Sequence, residues 1–181
     1  MVKLEFGILE SWDLFSSIGI WNLKKLEFKM KYYIVIPAHN EQDLIGLTLQ
    51  SLVSQTVLPS KVVVVNDNST DKTEEVVLSF AKENPYISVV NKTSDAIHLP
   101  GSKVIQAFQK GFETLDSDYD IIVKIDGDLI FPTNYFETII KHFESDPKIG
   151  MVGGFCYIDK NGEWVLENLT DKDHIRGALK A

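Results

Sequence analysis

An α/β fold is what the sequence predicts: a mostly parallel sheet flanked by helices and preceded by a helical leader. Three observations lead there. Short runs are apolar throughout, helix-spaced apolar segments lie between them, and polar residues cluster directly after each run. Strands that are apolar at every position are buried on both faces, the condition of a parallel sheet covered by helices.

Along the chain, Tyr32 to Pro37 reads as the first strand. Residues 41 to 55 carry Leu44, Leu47, Leu52 and Val53 at helical spacing, and Lys61 to Val65 is a second strand, apolar from Val62 onward. Residues 71 to 83 form a second helix, capped by Ser69 or Thr70 and acidic at its start, followed by a third strand, Ile87 to Val90. A third helix over 102 to 114 leads to a fourth strand, Ile121 to Ile125. The alternation makes the sheet Rossmann-like.

Residues 1 to 29 read differently. Leu4, Ile8, Leu9, Trp12, Phe15, Ile18 and Trp21 recur every three or four positions, as on an amphipathic helix. This leader is expected to pack on the domain. A weak membrane-surface association through Trp12, Trp21, Lys24 and Lys25 is the second reading, opposed by Glu5, Glu10, Asp13 and Glu27.

The chain of 181 residues is 44% hydrophobic and 24% charged, which suits one globular domain, placed at residues 30 to 181. A net charge of -8 and a pI near 5.0 exclude a general nucleic-acid binder, which needs clustered Lys and Arg. The single Cys156 forms no internal disulfide and fits a reducing, cytoplasmic setting. No run of 18 apolar residues is present to span a bilayer, and residues 1 to 29 lack the compact apolar stretch of a signal peptide.

In a parallel sheet, ligands gather at the carboxyl ends of the strands. Four strand ends are polar here: "PAHNE" (37 to 41), "NDNSTD" (66 to 71), "HLPGSK" (98 to 103) and "DGD" (126 to 128). Asp126, Asp128 and Asp67 should therefore meet, with Glu41 near them. Clustered carboxylates repel unless they are protonated or share a cation, and hard oxygen ligands suit Mg²⁺ or Mn²⁺. Asn68, Ser69 and Asp71 read equally well as turn and cap residues. The helix opening after "PGSK" offers amides and Lys103 to an anion. Gly153-Gly154 is either a simple turn or a close approach to a ligand. The four histidines lack zinc spacing, and no GxxxxGK[ST] or GxGxxG motif occurs.

With these residues in view, the chain resembles the family 2 glycosyltransferases, of the glycosyltransferase A fold. "YYIVIPAHNEQDLIGLTLQSLVSQT" resembles the opening strand and helix, "KVVVVNDNSTDKTEEVV" the second strand and base-binding turn, and "VKIDGDLIFP" the metal-binding Asp-x-Asp strand. The resemblance covers residues 32 to 178. It implies inverting, metal-dependent transfer of a sugar from a nucleotide-diphosphate sugar to a glycan, lipid or protein acceptor. It also implies roles: Pro37, Ala38, Asn40 and Glu41 lining the nucleoside pocket, Asp67 reading the base, and Lys103 beside the diphosphate. Asp126 would face the ribose or metal, Asp128 would hold the cation, and Gly127 between them would belong to the same donor site. Two departures stand out: Asn66 replaces a first Asp, and "HLPGSK" replaces an Asn-x-Gly approach. Asp159, Glu163, Glu167, Asp171 and Asp173 read as loop charges ahead of a further strand near "HIRGALKA". The general base is therefore expected beyond Ala181, which makes this chain a donor-binding part. The alternatives are a non-catalytic, Mg²⁺-binding regulatory module and a nucleotidyltransferase.

Overall fold

The computed structural model describes residues 2–5, 30–93, 102–167 and 179–180. The described elements are, in order, β1 (Val2–Glu5), β2 (Tyr32–Ala38), α1 (Ile45–Val53), β3 (Lys61–Asp67), α2 (Thr73–Glu83) and β4 (Ile87–Lys92). They continue as α3 (Ser102–Phe112), β5 (Ile121–Ile125), β6 (Leu129–Ile130), α4 (Tyr135–Ser145), β7 (Phe155–Lys160), β8 (Glu163–Leu166) and β9 (Leu179–Lys180).

The main sheet has the order β4-β3-β2-β5-β9. Its first four strands run parallel, and β9 is antiparallel to β5, the further strand expected near the "HIRGALKA" segment. Successive residues of a strand face opposite sides, so β2 and β3 feed two cores. Ile34, Ile36, Val62 and Val64 pack with Leu49 and Leu52 of α1, Val77 of α2 and Phe136 and Ile140 of α4. Val35, Val63 and Val65 pack on the other face with Ala107 of α3. Each fully buried Val, Ile or Leu contributes about 1.5–3 kcal/mol. This explains why both central strands are apolar where they cross the core, Tyr32–Ala38 in β2 and Val62–Val65 in β3.

A second sheet has the order β6-β1-β7-β8. Its member β1 corrects the leader reading at residues 2 to 5. Instead of opening a helix, Val2–Glu5 is a strand, parallel to β6 and antiparallel to β7. The remainder of the expected leader helix, residues 6 to 29, lies outside the described residues. Asp159 and Glu163 are likewise not loop charges, because they lie on β7 and β8. These strands form a hairpin around Asn161 and Gly162, both with positive φ (60° and 88°). Asn-Gly favours that conformation in a two-residue turn, and Asp159 Oδ1 accepts the Gly162 amide at 2.7 Å.

Helix α2 starts at Thr73, later than expected, and neither Ser69 nor Thr70 caps it. Asp71 accepts both the amide and the hydroxyl of Thr73, at 3.0 and 2.5 Å. Gly154 is a packing glycine, since a Cβ there would stand 2.8 Å from the Tyr135 hydroxyl. Among the described residues, no helix is long and apolar enough to cross a membrane.

Candidate functional site

The carboxyl ends of β2, β3 and β5 and the first turns of α3 enclose a cavity of about 680 Å³. It is lined by Pro37, Ala38, His39, Glu41, Asp67, Asn68, Lys103, Val104, Ala107, Asp126, Gly127 and Asp128. All the expected site residues except Asn40 are on its wall. Residues 98 to 101 of the expected anion seat lie outside the described residues, whereas Lys103 is on the wall.

Asn40 does different work. With φ at 56°, it turns its side chain into the 68–73 loop, where Oδ1 accepts the Thr70 amide at 2.8 Å. Its own amide donates to Ser69 Oγ at 3.0 Å. The neighbouring amides follow suit: Glu41 donates to Thr73 Oγ1 at 2.8 Å and Gln42 to Asp71 Oδ2 at 3.1 Å. Lys72 donates back to Gln42 Oε1 at 3.1 Å. The loops after β2 and β3 are thus laced together, and polar side chains replace the backbone pairing that ends with the strands. Ser69 and Asp71 belong to this lacing, while Asn68 faces the cavity. His39 Nδ1 lies 2.7 Å from the Asp67 carbonyl, which can only accept, so Nδ1 carries the proton.

The charges divide the cavity into two walls. On one, Asp67 is ion-paired with Lys92 at 3.1 Å, both side chains being largely buried. Lys92 was missed in the sequence because its pairing needs the β3–β4 register, Asp67 opposite Lys92. On the other wall stand Asp126, Asp128 and Glu41. Asp126 is ion-paired with Lys124, two residues earlier on the same strand face. Glu41, Asp67, Asp126 and Asp128 thus line one cavity, with Asp67 paired to its own lysine and Asp126 and Asp128 acting on Glu41.

Burial pushes the Glu41 carboxyl above the ordinary glutamate value, and the charges of Asp128, Asp126 and Asp71 push it further, against a small opposing effect of His39. Asp71, despite desolvation, is held below the ordinary aspartate value by hydrogen bonds from the Thr73 hydroxyl and from the Thr73 and Gln42 amides. Because the folded state favours protonated Glu41, its stabilising contribution is complete below the ordinary glutamate value. That contribution is lost as pH rises through the raised folded value. Melting temperatures of metal-free protein should accordingly decline through that window, and Glu41→Gln should flatten the decline. An unchanged pH profile in Glu41→Gln would show that Glu41 does not feel its neighbours.

Among the described residues, no group of three His, Cys, Asp or Glu is gathered tightly enough to hold a metal ion by itself. The donors that are present, Asp126 and Asp128 with Glu41 close by, fit a hard divalent cation that takes its other ligands from water and a bound phosphate. Such an ion would also relieve the repulsion recorded at Glu41.

Comparison with known proteins shows the family and the fold. The family model described as Glycosyl transferase family 2 matches residues 33–175. "Uncharacterized glycosyltransferase YibD" of Escherichia coli (strain K12) is 25% identical over 149 residues, covering 82% of this chain and 41% of that protein. "Probable glycosyltransferase YdaM" of Bacillus subtilis (strain 168) is 31% identical over 136 residues, covering 74% of this chain and 30% of that protein. The chain thus spans less than half the length of these curated relatives. Among solved structures, S. aureus TarS 1-349 in complex with UDP superposes with a TM-score of 0.53 at 21% identity, over 64% of this chain and 32% of that one. The mannosyltransferase PcManGT from Pyrobaculum calidifontis, in complex with GDP-Man and Mn2+, gives 0.51 at 23% identity, over 68% and 35%. At these identities the likeness is one of fold.

Proposed function

The chain belongs to glycosyl transferase family 2, and from that premise we propose that it is the donor-binding part of a metal-dependent, inverting glycosyltransferase that takes a nucleotide-diphosphate sugar. One observation carries the reading: a single cavity joins Asp67 on one wall, Asp126 and Asp128 on the other, and Lys103 at the start of α3. The regulatory-module and nucleotidyltransferase alternatives give way to the family match.

In this reading Asp67, fixed by Lys92, accepts a hydrogen bond from a ring N–H of the base. Uracil and guanine present such a donor. Small and apolar, Pro37, Ala38 and Ala107 on the cavity wall would leave room for the flat nucleoside. Asp126 and Asp128 would hold Mg²⁺ or Mn²⁺, and such an ion supplies charge to offset the leaving diphosphate. Lys103 adds a second positive charge, at a helix start whose dipole has the same sign. Lys103 would face the negative charge that builds as the sugar departs, and so would stabilise the transition state more than the ground state. The acceptor hydroxyl's proton passes to a carboxylate on the acceptor side. Asp126 and Asp128 are committed to the metal and Asp67 to the base. The solved relatives in complex with UDP, UDP-GlcNAc, and GDP-Man with Mn2+ support the ligand class.

Titration calorimetry with UDP, GDP and ADP, each with and without Mn²⁺, tests the proposal. Binding of one of them that the ion strengthens is expected. Failure of all three to bind, or binding indifferent to metal, would overturn it.

A further inference from the structure

Thr48 is fully buried in α1, and its hydroxyl donates to the Gly127 carbonyl at 2.7 Å across 79 residues of sequence. The acceptor within its own helix, the Leu44 carbonyl, is 3.5 Å away, so the tertiary bond takes the proton. The Gly127 carbonyl belongs to the peptide plane that also contains the amide and Cα of Asp128. One hydrogen bond therefore fixes the plane from which the Asp128 side chain departs.

The turn also lies flat on the helix. A Cβ at Gly127 would come 3.3 Å from Ile45 Cδ1 and 3.5 Å from Glu41 Cγ. Seven residues further along the chain, Gln55 pins the next part of the segment. Its amide donates to the Pro132 carbonyl at 2.8 Å, and its Oε1 accepts the Phe136 amide at 3.2 Å. Helix α1 and the turn that follows it thus hold the stretch that begins at the Asp-Gly-Asp turn at two polar points. Gln55 fixes its position, whereas Thr48 touches the peptide between the carboxylates.

We propose that Thr48 is a positioning residue for cation binding: its bond to Gly127 sets the direction in which Asp128 presents its carboxylate to the metal. This rests on the reading of the cavity as a metal-dependent nucleoside-diphosphate site. Thr48→Val keeps the shape and removes the donor, and Thr48→Ser keeps the donor. The quantity to measure is the gain in affinity that Mn²⁺ confers on whichever of UDP, GDP and ADP the wild type binds, by calorimetry with Mn²⁺ and with EDTA. The gain should fall about tenfold in Thr48→Val, as for loss of a partner that orients a metal ligand, and return in Thr48→Ser. Affinity in EDTA should stay constant, and a loss of general structure would not produce that pattern. A Thr48→Val protein with the wild-type gain overturns the assignment. If valine prevents folding, Thr48→Cys, a weaker donor, replaces it, and an undiminished gain there overturns it equally. Absence of any gain in the wild type defeats the underlying site reading and this assignment with it, an outcome distinct from a variant that merely matches the wild type.

Discussion

Asp128→Asn is expected to reduce Mn²⁺-dependent nucleoside-diphosphate affinity on the order of 100-fold, while metal-free protein melts at a slightly higher temperature. The amide has the volume of the carboxylate, so the change is almost purely one of charge. Opposite unit charges about 4 Å apart near a protein surface attract by ~4 kcal/mol, roughly twice that for a divalent ion. Desolvation removes much of this, and a net loss of ~3 kcal/mol corresponds to about two decades in affinity. The opposite sign without metal follows from Glu41, whose carboxyl is raised by burial and next by Asp128. Removing that charge relieves repulsion in the folded state. Asp126→Asn should lose less, because Asp126 already shares its charge with Lys124 and contributes less of it to an incoming ion. Calorimetry gives the affinities and melting curves the stabilities. Wild-type affinity in Asp128→Asn with Mn²⁺ present would remove the metal from the proposed function.

The parts of this site that were legible in the sequence share a physical property: their signal is local. Ile121–Ile125 appears in the structure with the boundaries its composition predicts, since an apolar run closed by Asp-Gly-Asp can hardly be placed otherwise. Parallel order then brings Pro37, Asp67 and Asp126 to one rim without further information. What was missed depends on partners distant in sequence. Asn40 is placed at the pocket by the family resemblance, whereas in the structure it takes a positive φ and its side chain bonds the Thr70 amide. Lys92 becomes the partner of Asp67 only through strand register. Val2–Glu5 pairs with β6 and β7, more than 120 positions away, and no local pattern distinguishes it from the start of a helix. Two misses had a readable signal. Tyr135, Phe136, Ile139 and Ile140 are all buried on α4 and recur at helical spacing, and Asn161-Gly162 is a strong hairpin sequence.

Gly111→Ala should destabilise the protein by about 1–2 kcal/mol, against the usual direction of that substitution. At an exposed helical position alanine stabilises by up to about 1 kcal/mol, because glycine surrenders more backbone entropy on folding. Gly111 is instead the point where α3 rests on the sheet. A Cβ there would stand 2.6 Å from Val65 Cγ2 and 2.7 Å from Val35 Cγ1, both on fully buried valines of the two central strands. Valine has one soft torsion and a strong rotamer preference, so neither methyl can simply turn aside. The helix must lift, at the ~1–3 kcal/mol typical of overpacking, which outweighs the propensity gain. For a domain of this size each kcal/mol lowers the melting temperature by about 2–4 °C. Because α3 also carries Lys103, Val104 and Ala107 into the cavity, nucleotide affinity in EDTA should weaken as well, unlike the metal-specific loss in Asp128→Asn. Adding Val65→Ala removes one of the obstructing methyls and should recover part of the loss. A Gly111→Ala protein that melts above the wild type would show that α3 does not approach the sheet this closely, and that the wall carrying Lys103 stands elsewhere.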